Sequence, residues 1–185
     1  RRGALLSDAV RTDGRPVPVL LAFSPAVVPR PADWPETVTV TGYWFLDEGE
    51  AWTPPPELVE YLEAGPPPVF VGFGSMAGSD PVRTGRIILG ALRRAGQRGI
   101  VATGWGGLSL SDCGDDVFVI DALPYDWLLP RVAAVVHHGG AGTTAAGLRA
   151  GTPSVVCPFV ADQPFWGRRV AALGAGPEPI PQRGM

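Results

Sequence analysis

The segment His137-His138-Gly139-Gly140-Ala141-Gly142-Thr143-Thr144 holds the residues of this chain best suited to chemistry. It follows the apolar run Ala134–His137 and opens a helical stretch, Thr143–Ala150, that Gly151 stops. Three glycines let the backbone approach a ligand closely and adopt positive φ. The exposed amides of a helix's first turn, together with its dipole, make an anion site. Thr143 adds a hydroxyl, and a histidine ahead of the turn can donate a ring N–H to a phosphate oxygen. His138, Gly139, Gly140, Gly142 and Thr143 therefore read as a diphosphate cradle. The bland counterpart is a tight strand-to-helix turn whose glycines serve packing alone. Alternation along a strand points His137 opposite to His138, so His137 is expected to be a packed histidine.

Three further loops have a similar form. Gly72–Ser79 (GFGSMAGS), with Gly74 and Ser75 at its centre, has the shape of a phosphate or sugar cradle but lacks a P-loop lysine, which argues against an NTPase. Pro158–Pro164 places Asp162 beside Gln163, a carboxylate and a carboxamide able to accept from and donate to vicinal sugar hydroxyls. Taken alone, the motif reads sooner as Asp162 capping the helix than as a sugar contact. Ala122–Trp127, around Leu123, can offer backbone groups and an apolar wall to a base, with Trp127 expected in the core and not as a stacking platform.

The elements that must position these loops alternate. Apolar runs at Val69–Phe73, Ile100–Ala102, Val117–Ile120, Ala134–His137 and Ser154–Cys157 are separated by helical stretches. One begins at Ser79 or Asp80 with Pro81 in its first turn, and Ile87, Ile88, Ala91, Leu92 and Ala95 give it an apolar face. Another runs from Gln163 to Leu173, stopped by Gly174. Strands alternating with helices predict βαβ units: an α/β fold with a Rossmann-like parallel sheet and helices on both faces. In such sheets ligands bind beyond the carboxyl ends of the strands, where all four loops lie. Ahead of this, Val19–Phe23 reads as a buried strand and Val38–Trp44 as another. Residues 46–68, acidic and carrying two Pro triplets, read as an inter-domain linker in which Glu57–Ala64 can make two helical turns. The division expected is 1–45, 46–68 and 69–185.

Composition excludes several classes. The 185 residues are 45% hydrophobic, enough for a substantial core, yet no apolar run is long enough to span a bilayer. A net charge of −3 without a basic block argues against nucleic acid as a partner. Cys113 and Cys157 make no disulfide framework, and with the two histidines they fit no zinc spacing. Free thiols and the absence of a visible secretory signal point to the cytoplasm.

Taken together, the loops resemble the C-terminal domain of family 1 glycosyltransferases, the nearest in pattern being sterol glucosyltransferases and bacterial natural-product glycosyltransferases. The resemblance rests on FSPAVVPRPADWP (23–35), GYWFL (42–46), PPVFVGFGSM (67–76), LPYDWLLPRVAAVVHHGGAGTT (123–144) and AGTPSVVCPFVADQPFWGRRV (150–170). It implies two facing Rossmann-like domains, with a UDP- or dTDP-sugar held mainly by the second. Ser75, His138, Gly140, Gly142 and Thr143 would meet the diphosphate, Asp162 and Gln163 the sugar hydroxyls, and the loop around Leu123 the uracil. It also implies inverting transfer of glucose or a related sugar to a lipophilic or natural-product hydroxyl, with no metal and no other cofactor.

Two departures bear on that expectation. Plant-type members carry a ribose-binding glutamate where this chain has Ala146, which leaves uridine and thymidine donors open. The family's general base lies in its N-terminal domain. Residues 1–45 resemble only the tail of that domain, and the helices that usually follow Pro181 are not present, so no catalytic residue is expected within the chain. The reading is thus a donor-binding half that needs a partner domain, with self-association through an apolar face near residues 19–46. A non-catalytic nucleotide-sugar-binding module is the alternative. An NAD-type domain would need Gly-x-Gly-x-x-Gly after the first strand, a spacing that Phe73–Gly78 does not supply.

Overall fold

A computed structural model describes residues 11–47, 52–74, 76, 80–104 and 113–181. The chain forms two compact units, Arg1–Leu46 and Asp47–Met185.

In the first unit, β1 (Arg11–Thr12) and β2 (Arg15–Pro16) form a small antiparallel pair. β3 (Val19–Leu21) and β4 (Val38–Val40) pair in parallel, Val19 opposite Val38. Both of the latter strands are shorter than the sequence suggests. Gly42 takes φ +83 and breaks the extended run expected over Val38–Trp44. Nor is β3 buried as expected. A two-stranded pair has no covering layer on each face, and Leu20 is 53% exposed. The Arg30 guanidinium gathers the chain between them, donating to the carbonyls of Trp34 (2.8 Å) and Pro35 (2.9 Å). Trp44 and Leu46, 64% and 98% exposed, leave apolar surface at the end of this unit.

The second unit is built on five parallel strands: β5 (Val69–Gly72), β6 (Gly99–Ala102), β7 (Val117–Ile120), β8 (Ala134–His137) and β9 (Ser154–Val156). Their order is β7-β6-β5-β8-β9. Right-handed crossovers leaving the central strand in opposite directions must lie on opposite faces. Accordingly α2 (Pro81–Ala95), between β5 and β6, packs Ile88 and Leu92 on Val71 and Val101. On the other face Phe70, Ile100 and Val135 meet Leu128 and Leu129, from α3 (Tyr125–Leu128) and the 3₁₀ turn after it, with Ala146 and Ala150 of α4 (Ala141–Ala150) alongside. α5 (Gln163–Ala172) packs on α4 and β9. Alternate residues of each short strand thus enter one core or the other, which is why the strands read as unbroken apolar runs.

Helix ends follow local chemistry. Asp80 Oδ1 accepts from the Arg83 amide at 2.9 Å, Pro81 occupies the first turn, and Gly96 at φ +60 closes α2. Of the two cap candidates Asp80 is the one used; Ser79 lies outside the described residues. α1 (Pro56–Glu63) falls in the stretch read as a linker, yet it shares the core of the second unit. Leu58 is fully buried among Phe70, Leu128 and Leu129. The Tyr61 hydroxyl donates to the Gly99 and Asp116 carbonyls at 2.9 and 2.7 Å, and Arg98 Nη2 donates to the Tyr61 carbonyl.

Leu58→Ala is expected to destabilise the chain by about 3–5 kcal/mol, the range for a fully buried leucine whose cavity cannot collapse. Urea unfolding measures it. A change below about 0.5 kcal/mol, as for an ordinary surface substitution, would show that α1 is not part of that core.

Candidate functional site

The crevice of an open parallel sheet lies where its strand order reverses, here between β5 and β8, whose last residues Gly72 and His137 pair in register. β8 ends at His137, and α4 begins at Ala141 with Gly140 in extended conformation as its N-cap. No side chain caps this end. The first backbone bond of the helix runs from Thr144 N to Gly140 O (2.9 Å), so the amides of Ala141, Gly142 and Thr143 precede any helical partner. The deep burial of Thr143 and Thr144 roots the turn in the core.

His138 sits between the two central loops. A methyl group on Gly140 would lie 2.5 Å from His138 Nε2, and one on Gly74 would lie 3.4 Å from its Cε1. Only residues without a Cβ admit the ring at Gly140. The turn after β6 closes in as well, since a methyl on Gly104 would fall 2.3 Å from Gly74 O. Burial pushes the His138 pKa below its usual value, and the nearby Asp162 carboxylate works against that shift. His137 is completely buried, as its position on the strand implies. Burial, with a smaller contribution from His138, pushes its pKa from 6.5 to about 4. Its Nδ1 accepts from the Gly139 amide at 3.1 Å.

Beyond β5, β6 and β7 lies a cleft of about 370 Å³ lined by Phe70, Gly74, Gly104, Asp121, Leu123 and Tyr125, among others. Leu123 thus sits in a pocket of a size and apolar character that suit a nucleoside. Tyr125 lines the same cleft, and α3, which carries it, packs on α4. Thr103 Oγ1 donates to Asp121 Oδ1 at 2.8 Å across adjacent strand ends. Sequence reasoning passed over Tyr125, Asp121 and Thr103. The signal was available, because Ala102 and Ile120 pair in register and the residues after them must meet.

The Asp162–Gln163 pair is more internally engaged than its residue types suggest. Asp162 makes no side-chain cap bond to α5; its Oδ2 accepts instead from the Trp166 indole N–H at 2.7 Å. The Gln163 Oε1 accepts from the Phe159 and Val160 amides at 2.7 and 3.0 Å. The loop is therefore tied to the helix it precedes. Ala161 holds φ +57, strained for a residue with a Cβ, immediately before Asp162. Ser75 lies outside the described residues. Trp127 packs against the core, edge-on to Trp52 at 5.0 Å. Among the described residues, no three His, Cys, Asp or Glu side chains group as metal ligands, and no helix is long and apolar enough to cross a membrane.

A glycine-lined helix start thus lies at the switch point of a Rossmann-like sheet, with an apolar cleft beside it beyond β5, β6 and β7. Solved structures agree in fold. The glycotransferase of kitacinnamycin matches with a TM-score of 0.68 at 21% identity, over 90% of this chain and 42% of that one. The calicheamicin glycosyltransferase CalG4 matches at 0.64 and 19%, over 91% and 42%. The chain belongs to the family described as erythromycin biosynthesis protein CIII-like, C-terminal domain, whose model matches residues 90–183. Among curated relatives, a sterol 3-beta-glucosyltransferase of Arabidopsis thaliana is 52% identical over 169 residues, 91% of this chain. Another, of Neosartorya fischeri, is 44% identical over 173 residues, 86% of this chain. The chain spans 26% of the length of the first and 12% of the second.

The two histidines make a pH prediction. A histidine whose folded pKa is depressed stabilises the fold above its unfolded pKa, and that stability is lost as pH falls towards the folded value. For His137 the window runs from 6.5 down to about 4, and the loss over it amounts to about 3 kcal/mol. Urea unfolding of wild type and His137→Asn across this window measures the difference. Parallel pH dependences in the two proteins would contradict the assignment.

Proposed function

We propose that residues 69–185 bind a nucleoside diphosphate sugar, UDP-glucose or a related uridine or thymidine donor, for inverting transfer to a lipophilic, sterol-like hydroxyl. The observation that carries this reading is the meeting of His138, Gly74 and the uncapped start of α4 at the switch point, beside the Leu123 cleft. The diphosphate would lie over the amides of Ala141, Gly142 and Thr143, with Gly139, Gly140 and Ser75 shaping the cradle. The base would enter the cleft at Leu123, and the sugar would extend towards Asp162 and Gln163.

In the reaction, the acceptor oxygen bonds to the anomeric carbon as the bond from that carbon to the diphosphate oxygen breaks. Negative charge builds on the departing diphosphate, where the helix start and a His138 N–H stabilise it without a metal. The acceptor proton needs a general base, whose contribution is about 10²–10⁴-fold. His138 is on the leaving-group side and His137 is enclosed, so the base is assigned to an acceptor-binding domain outside residues 69–185. Residues 1–45 would be the tail of that domain. The chain alone is accordingly not expected to turn over. The relatives named as sterol glucosyltransferases support a lipophilic acceptor, and free Cys113 and Cys157 suit a cytoplasmic setting.

Calorimetric titration with UDP and UDP-glucose tests the reading. UDP is expected to bind, and His138→Ala to weaken it about tenfold or more, the cost of a hydrogen bond to a charged group. Asp162→Ala should weaken UDP-glucose and spare UDP. No UDP binding by the wild type, or full affinity in His138→Ala, would overturn it.

A further inference from the structure

His137 has no place in the proposed reaction, yet it is fully buried at the end of β8, in register with Gly72 on one side and Val156 on the other. Its backbone is fixed there, with the Cys157 amide donating to the His137 carbonyl at 2.8 Å. Its side chain then reaches forward, and Nδ1 takes the Gly139 amide at 3.1 Å. Gly139 is itself buried at φ +88 and wedged between two elements. A methyl there would meet Val156 Cγ1 at 2.6 Å and Gln163 O at 3.0 Å. A buried amide needs an acceptor, and here it is a side chain that supplies one.

We infer that His137, through the hydrogen bond it accepts from the Gly139 amide, is a positioning residue that sets the glycine turn so that the first-turn amides of α4 face the diphosphate, without itself touching the ligand. This rests on the nucleotide reading above and deepens it. The geometry divides the amides into two groups. That of Gly139 is drawn back to the ring, while those of Ala141, Gly142 and Thr143 stand ahead of the first helical bond. Removing the acceptor at Nδ1 leaves the buried Gly139 amide without a partner, so the turn shifts to find one and the following amides turn with it. Burial supports the role: with its pKa near 4 the ring stays unprotonated at neutral pH and Nδ1 remains an acceptor.

Asparagine can place an oxygen near the position of Nδ1, whereas glutamine places its amide near Nε2. His137→Asn and His137→Gln therefore differ in the one interaction proposed while sharing polarity and similar size. Affinities for UDP and uridine are measured for the wild type and both variants. His137→Asn is expected to keep UDP affinity within about threefold, and His137→Gln to lose about tenfold, with uridine affinity equal in all three. Ring ¹⁵N spectra of the wild type should show His137 protonated at Nε2 and bare at Nδ1. Equal UDP affinity in the two variants, a matching loss for uridine, or a proton on Nδ1 overturns the positioning role alone. A wild type that binds neither ligand overturns the nucleotide reading and this role with it.

Discussion

The second unit depends on one topological constraint. Its central strand β5 is flanked by β6 and β8, and the chain leaves the sheet's middle in opposite directions on opposite faces. A crevice between the carboxyl ends of β5 and β8 follows directly, since no crossover can cover it. The His138 ring lies beside Gly74 in that crevice, and a Cβ on Gly140 would come 2.5 Å from its Nε2. The glycines are thus the means by which a bulky ring and a bare helix start share one small space.

The electrostatics follow from the same packing. Both histidines are desolvated enough that their neutral forms are favoured, and Asp162 is the counter-charge that draws His138 back towards the cation. A diphosphate placed over the α4 amides would add to that pull, so that the charge on His138 rises when there is something to stabilise. The uncapped helix end is consistent with this arrangement. A serine or aspartate N-cap would satisfy the amides internally and leave less for a ligand.

Much of this was legible in the sequence where local rules decide. The alternation of apolar runs and helical stretches marked the five strands, and glycines after periodic segments marked the ends of α4 and α5. The burial of His137 followed from the period of two along β8. What was not legible depends on tertiary contact. Prolines around 54–68 suggested a linker, although Leu58, Tyr61 and Leu62 recur at helical spacing and bring α1 onto the core. Residue type alone offered Gln163 as acceptor and donor, while the fold turns its oxygen onto the Phe159 and Val160 amides. Asp162, read as a sugar contact with a helix cap as the alternative, makes no cap bond and holds the Trp166 indole. Tyr125 lines the cleft beside the helix start because α3 and α4 pack side by side.

The most direct measurement of the central claim is an amide chemical-shift map of the chain titrated with UDP. The account places the largest perturbations at Gly140–Thr143, around Gly74, and at Leu123–Tyr125, with the His138 ring resonances moving towards the protonated form. Shifts concentrated on α2 and its side of the sheet, with the residues after β8 unmoved, would contradict it.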